Sequence, residues 1–215
     1  MVAVAKDQLG YAASRPREVA PGTRWQYSSG DSMLLAGVVE RATGRSMTEY
    51  AREKLFDPIG MERAEMWRDA AGHTLGYCCM DTTSRGFARF GQLYLQGGEW
   101  DGEQVVPGDW VDQSVQGAPT SPDWYGLQWW LDEIDGHPMF SARGHDGQYI
   151  YVVPDLDLVV VRNGTYVKSP GEPIGVPSLF SRYPSDGLVP GQGTIGPSSW
   201  NDSSFLGPII DSIET

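Results

Sequence analysis

Between residues 34 and 42 apolar side chains return at helical spacing, as Leu34, Leu35, Val38, Val39 and Ala42. That spacing predicts one helix with a broad apolar face. Ahead of it, the turn signal "PGT" (21–23) and the run Ser28 to Asp31 offer several N-caps, and Gly44 supplies the stop. "SMTE" (46–49) then has the capping-box pattern, Ser46 with Glu49, opening a second helix that must end before Asp57-Pro58. "PIGM" and "MWRDAAG" read as connecting structure. A third helix is predicted over 82–98, with Phe87, Phe90, Leu93 and Tyr94 on its apolar side and Gly97-Gly98 as its end. A short helical turn is expected around 107–115, and no element is predicted before Pro21.

The period then shortens to two. "YGLQWWLDE" (125–133), "HPMFSARGH" (137–145), "GQYIYVVP" (147–154) and "DLVVVR" (157–162) read as strands, the last two joined by a tight turn at Pro154-Asp155-Leu156-Asp157. Strands so close in sequence pair as an antiparallel meander. Residues 164–202 are rich in Gly, Pro and Ser without a period and read as a long loop. Residues 203–215 are expected to hold a closing helix, weakened by Pro208. Helices followed by an antiparallel sheet indicate an α+β fold.

Composition narrows the function classes more than the fold. At 215 residues the chain has room for one sizeable core or two small ones. The net charge is −12, with no basic stripe to neutralise phosphates, so no nucleic-acid partner is expected. No window holds eighteen consecutive apolar residues, so no membrane span is expected. The first residues lack the pattern of a signal peptide, and the compartment, periplasmic or cytoplasmic, stays open. The two cysteines, Cys78 and Cys79, are adjacent and match neither metal-ligand nor CxxC spacing. They are expected to be buried, unreactive small side chains.

Several motif matches fail on their context. "GQGTIG" (191–196) fits GxGxxG, but prolines flank it, no strand feeds it and no helix follows to receive a phosphate. His73, His137 and His145 do not fall at ligand spacing, so no metal and no other cofactor is implied. Trp124, Trp129 and Trp130 form a possible aromatic wall, although such residues in a strand more often pack. Taken singly, Tyr27 before an apolar helix is usually a packing residue. "RGHDGQ" (143–148) is, singly, a glycine-marked strand end where backbone can approach something closely.

Taken together, these stretches change the reading. "PGTRWQYSSGDSMLLAGVVERATGRSMTEYAREKLFDPIGM", "DTTSRGFARFGQLYLQGGEWDGEQVVPGDWV" and "RGHDGQYIYVVPDLDLVVVR" follow one another in the order found in beta-lactamase-related serine hydrolases. The chain resembles the branch containing class C beta-lactamases, esterases and 6-aminohexanoate-dimer hydrolases, over residues 21 to about 163. The resemblance implies an α+β, beta-lactamase/DD-peptidase-like fold and acyl transfer through a covalent acyl-serine on a small ester or amide substrate. The family uses a serine in Ser-x-x-Lys, a tyrosine in Tyr-x-Asn, and a third motif, Lys-Thr-Gly or His-x-Gly, on a strand. Serine needs a base to attack, and tyrosine can take its proton when nearby positive charge favours the phenolate. Carried over, Tyr27 matches the motif tyrosine as general base, and His145 and Gly147 match the third motif. The backbone N–H of Gln148 becomes the candidate oxyanion donor. Ser29 stands where class C beta-lactamases carry Asn, which favours the esterase or amidase side.

One required element is missing from the sequence. With lysine only at 6, 54 and 168, a Ser-x-x-Lys serine would have to sit at 3, 51 or 165, which are Ala, Ala and Thr. The chain is therefore expected to be the C-terminal portion of a longer enzyme. On that expectation residues 1–163 belong to the hydrolase domain, the nucleophile and the first strands of the sheet lie upstream, and the 215 residues by themselves are inactive. The alternative is a non-catalytic protein that keeps the pocket for binding or interaction. The oligomeric state is not legible.

Overall fold

The computed structural model describes residues 5–144, 147–164, 166–167, 192–193 and 201–214. They fall into two compact units, one drawn from Met1–Thr83, the other from Ser84–Glu172 and Gly191–Thr215.

The first unit opens with a helix where none was expected, α1 (Gln8–Ala13), capped by the Asp7 carboxylate, which accepts from the Gly10 N–H at 2.7 Å. At under two turns it is too short to show a period in sequence. It is held by tertiary contacts instead, with Gln8 and Ala12 buried. The next helix, α2 (Ser29–Thr43), starts on the Ser28 side chain, which accepts from the Asp31 N–H, and ends at Gly44 in a left-handed conformation. The face it buries is not the expected one. Met33 and Ala36 are fully buried, whereas Leu35 and Val38 stay 47% and 61% exposed. The cause is the neighbours. Leu9 of α1 sits where a Cβ on Gly37 would stand, 2.7 Å from its Cδ1, and Gly76 lies against the Ser32 carbonyl and the Ala36 methyl.

Helix α3 (Met47–Ala51) has the full capping box, Ser46 and Glu49 each satisfying the other's backbone N–H. The Ser46 hydroxyl bound to Glu49 holds that carboxyl below the ordinary carboxylate range. The helix then widens over Arg52–Phe56, where the Asp57 N–H reaches five residues back to the Arg52 carbonyl at 2.9 Å. The segment expected to be simple connection carries a small ladder, β1 (Glu65–Met66) against β2 (Met80–Asp81), with Arg68 bridging to Thr74. The cysteines between them also differ from expectation. Cys78 and Cys79 are half-buried and bonded to each other in a disulfide.

The second unit is a meander with a helix on each face. Helix α4 (Ser84–Leu95) is followed by Gly97 and Gly98, both at positive φ. A hairpin of β3 (Glu99–Trp100) and β4 (Glu103–Gln104) turns on Asp101-Gly102, both also left-handed. Helix α5 (Gly108–Ser114) precedes the sheet β5 (Trp130–Ile134), β6 (His137–Arg143), β7 (Tyr149–Val153) and β8 (Leu158–Arg162), antiparallel in sequence order. The first strand begins later than expected, because the chain turns over 125–129 with Gln128 at φ 70°. A second short pair, β9 (Tyr166–Val167) and β10 (Gln192–Gly193), follows, and helix α6 (Asp202–Glu214), with Pro208 inside it, closes the described chain. Most of "GQGTIG" lies outside the described residues.

Strand alternation distributes the side chains. Phe140, Ile150, Val152, Val159 and Val161 face the α4 side with Phe87, Phe90 and Tyr94. Met139, Tyr151, Val153, Leu158 and Val160 face the other side, with Leu206 and Ile210 of α6. The helix α4 approaches the sheet closely at Gly91. A Cβ there would stand 2.7 Å from Val159 Cγ1 and 2.9 Å from Ile150 Cγ2.

That contact is testable. Gly91→Ala should destabilise, since overpacking costs about 1–3 kcal/mol against a helix-propensity gain of roughly 1 kcal/mol. Gly30→Ala in α2, where the nearest atom to a new Cβ is Ser28 Oγ at 3.6 Å, should cost nothing. Urea denaturation of the two variants checks this. A Gly91→Ala protein more stable than its parent would disprove the close approach.

Candidate active site

Tyr27 lies on the extended stretch that leads into α2, immediately before the Ser28 cap. Its side chain is 59% exposed, and its ring centroid is 6.3 Å from that of Trp25. Ser29 is the first residue of α2 and is half-buried. Tyr27 and Ser29 thus sit together at the front of one helix, in the first unit.

The third-motif residues belong to the second unit, at the turn between β6 and β7. His145 lies outside the described residues. Gly147 is buried at φ 76°, a conformation that favours glycine, and its carbonyl accepts from Arg162 Nη1 at 2.7 Å. The Gly144 N–H donates to the Gln148 carbonyl at 2.8 Å, closing the turn beside the candidate oxyanion position. The Gln148 side-chain amide reaches across to the Gly164 carbonyl.

The strand that carries this turn is anchored just before it. Arg143, the last residue of β6, bonds Asp132 Oδ2 on β5 at 2.8 Å and Asp202 Oδ2 on α6 at 3.1 Å, and donates through Nε to Ser141 Oγ at 2.9 Å. The other Asp202 oxygen accepts from the fully buried Tyr151 hydroxyl at 2.6 Å. Burial first, and the Asp202 carboxylate second, push the Tyr151 phenol far above its ordinary value. Sequence reasoning missed this network because its bonds between elements join residues 11 to 59 apart, and α6 follows a stretch without a period.

The proposed aromatic wall divides. Trp129 is a core residue, 5.0 Å from Phe140 and 5.8 Å from Phe90 between ring centroids. Trp124 and Trp130 instead line an open cleft of about 490 Å³ with Asp123, Asp132, Glu133 and Arg143. Among the described residues, His73 and His137 each face a carboxylate, Glu40 at 3.1 Å and Asp155 at 2.7 Å.

Residues 3–173 match the family model described as Beta-lactamase. A 6-aminohexanoate-dimer hydrolase from Paenarthrobacter ureafaciens is 29% identical over 151 residues, covering 64% of this chain and 38% of the relative. Among solved structures, a candidate 6-aminohexanoate-dimer hydrolase from Bacillus anthracis superposes with a TM-score of 0.63 at 29% identity, over 70% of this chain and 40% of that one. A penicillin binding protein from Bacillus halodurans gives a TM-score of 0.58 at 18% identity, over 73% and 56%, a likeness that bears on the fold. The chain therefore spans about two fifths of the length of its 6-aminohexanoate relatives.

The Tyr151 network sets a pH dependence. A phenol whose folded value is raised contributes stability below its ordinary value of 10.0 and loses it as pH rises past that point. The parent protein should lose stability above pH 10. Tyr151→Phe should show a smaller decline, since the raised Tyr77 phenol remains, and be weaker at neutral pH by about 1.5–3 kcal/mol, the worth of a hydrogen bond to a charged group. Denaturation midpoints at pH 7 to 11 test both, and identical pH profiles would refute the assignment.

Proposed function

The chain belongs to the Beta-lactamase family, and from that premise we propose that it supplies the tyrosine and third-motif elements of a serine hydrolase acting on a small amide or ester. The match of residues 3–173 to the family model supports this reading, together with the place of Tyr27 at the front of α2, where its side chain is exposed. In the proposed reaction the tyrosine takes the proton of an attacking serine. The serine oxygen bonds to the substrate carbonyl carbon, and the leaving amine or alcohol departs with a proton. The Gln148 N–H, beside a turn fixed by Gly147, is the proposed donor to the oxyanion. The named activity of the Paenarthrobacter relative favours an amide. Ser29, in place of Asn, points away from beta-lactams.

Because the sequence holds no Ser-x-x-Lys, we assign the nucleophile and its lysine to a part of the protein outside these 215 residues. The same absence favours a second reading, a pocket that binds without turnover.

The two readings separate experimentally. The 215-residue chain is expected to hydrolyse neither nitrocefin, p-nitrophenyl butyrate nor the 6-aminohexanoate dimer, and to take no fluorophosphonate label. A labelled serine in this chain would overturn the assignment of the nucleophile. A gene product extended in frame to a Ser-x-x-Lys should be labelled and active. Tyr27→Phe in it should lower kcat by about 10²- to 10⁴-fold, the usual worth of a general base. Full activity in that variant would remove Tyr27 from the chemistry, and an unlabelled, inactive extended product would favour binding without turnover.

A further inference from the structure

The Cys78–Cys79 disulfide is not used by the proposed chemistry, and its surroundings set it apart from a passive crosslink. A bond between sequence neighbours closes no chain loop worth an entropic gain, so stabilising the unfolded-state balance is not its role. It does constrain its own backbone: Cys79 sits at φ 72°, in the left-handed region that non-glycine residues seldom adopt. That constrained residue lies at a junction. The Cys79 carbonyl accepts from the Trp67 N–H at 2.9 Å, and the Trp67 carbonyl accepts from the Leu75 N–H at 2.9 Å. The Trp67 indole donates to Asp81 Oδ2 at 2.7 Å. One residue before Cys78, the Tyr77 hydroxyl donates to buried Gln8 at 2.7 Å, and the Gln8 N–H donates to buried Asp69 at 2.8 Å. Both cysteines are half-buried against the cluster of Ala12, Met33 and Leu75.

We propose that Cys78–Cys79 is a thiol-reducible latch that holds the 65–81 segment against α1 and α2. The co-reactant is a dithiol. One of its thiolates attacks a cysteine sulfur, breaking the protein S–S bond and forming a mixed disulfide. Its second thiol displaces the protein, so that the reductant leaves as a disulfide and Cys78 and Cys79 gain two electrons and two protons. Once open, Cys79 is free to leave the left-handed region. The Trp67 and Tyr77 hydrogen bonds then lose their shared anchor, and with them the packing of Gly76 on Ser32 and Ala36 in α2. The latch therefore acts on the helix whose front carries Tyr27 and Ser29. It is independent of whether Tyr27 acts in catalysis.

The chain has two cysteines, so every thiol measurement reports on this pair. Native protein treated with iodoacetamide should show no adduct by intact mass before dithiothreitol and two adducts after it. Hydrogen exchange over 65–81 and the front of α2 should become about tenfold faster on reduction, with β6–β8 unchanged, as expected for one locally opened unit. Phenylarsine oxide, which bridges two adjacent thiols with loss of water, should restore protection to the reduced protein, and single-thiol alkylation should not. Cys78→Ser/Cys79→Ser should exchange like the reduced form and ignore dithiothreitol. Should that variant not fold, the reduced and alkylated parent gives the same comparison. Two adducts without reductant would overturn the proposal, as would equal exchange in the oxidised and reduced proteins.

Discussion

Both faces of the β5–β8 meander must be covered, and the rest of the second unit follows from that requirement. A strand buried on both sides loses the apolar–polar alternation of a half-exposed one, which is why "YIYVV" reads as an unbroken apolar run. The period of two still operates, sending Ile150 and Val152 to the α4 face and Tyr151 and Val153 to the α6 face. Gly91 lets α4 come close enough to close one face. On the other face, Tyr151 brings a hydroxyl into the interior, and Asp202 at the start of α6 satisfies it. The same carboxylate bonds Arg143, so covering that face also fixes the last residue of β6.

The first unit rests on a polar anchor instead. Asp69 is fully buried, and its two oxygens accept from the N–H groups of Gln8, Ala71 and His73 at 2.8, 3.0 and 2.9 Å. A carboxylate taken out of water needs such partners, and three backbone donors supply them. The arrangement ties α1 to a loop more than sixty residues away. Its cost shows at Gln8, whose Nε2 is buried without a hydrogen-bond partner.

What could be seen in the sequence follows the same division between local and distant causes. The Ser46–Glu49 box, the Gly44 stop, the Gly97-Gly98 end of α4 and the four-strand meander are local signals, and each is present, with only the first strand starting later than expected. Asp101-Gly102 was an equally local hairpin signal in plain view. Helix α1 and the buried face of α2 depend on partners the sequence does not place beside them. Leu9 against Gly37, and Gly76 against Ser32 and Ala36, rotate the covered face of α2 onto Met33 and Ala36 and leave Leu35 and Val38 outside. The adjacent cysteines suffered from the opposite error. Their spacing excluded a metal and a CxxC pair, but adjacency itself was the signal for a bond between them.

The candidate site was legible at the level of motif order and not of geometry. Tyr27, Ser29, Gly147 and Gln148 came from a collinear resemblance, and no period or spacing distinguishes Tyr27 from an ordinary aromatic at a helix entrance. The two tyrosines differ in exposure, Tyr27 being 59% exposed and Tyr151 fully buried. Tyr151 donates to the Asp202 carboxylate and is held in its neutral form by burial and by that carboxylate. For Tyr151 it is the environment, a buried position facing a carboxylate, and not the residue type that sets the use of the phenol as a structural donor.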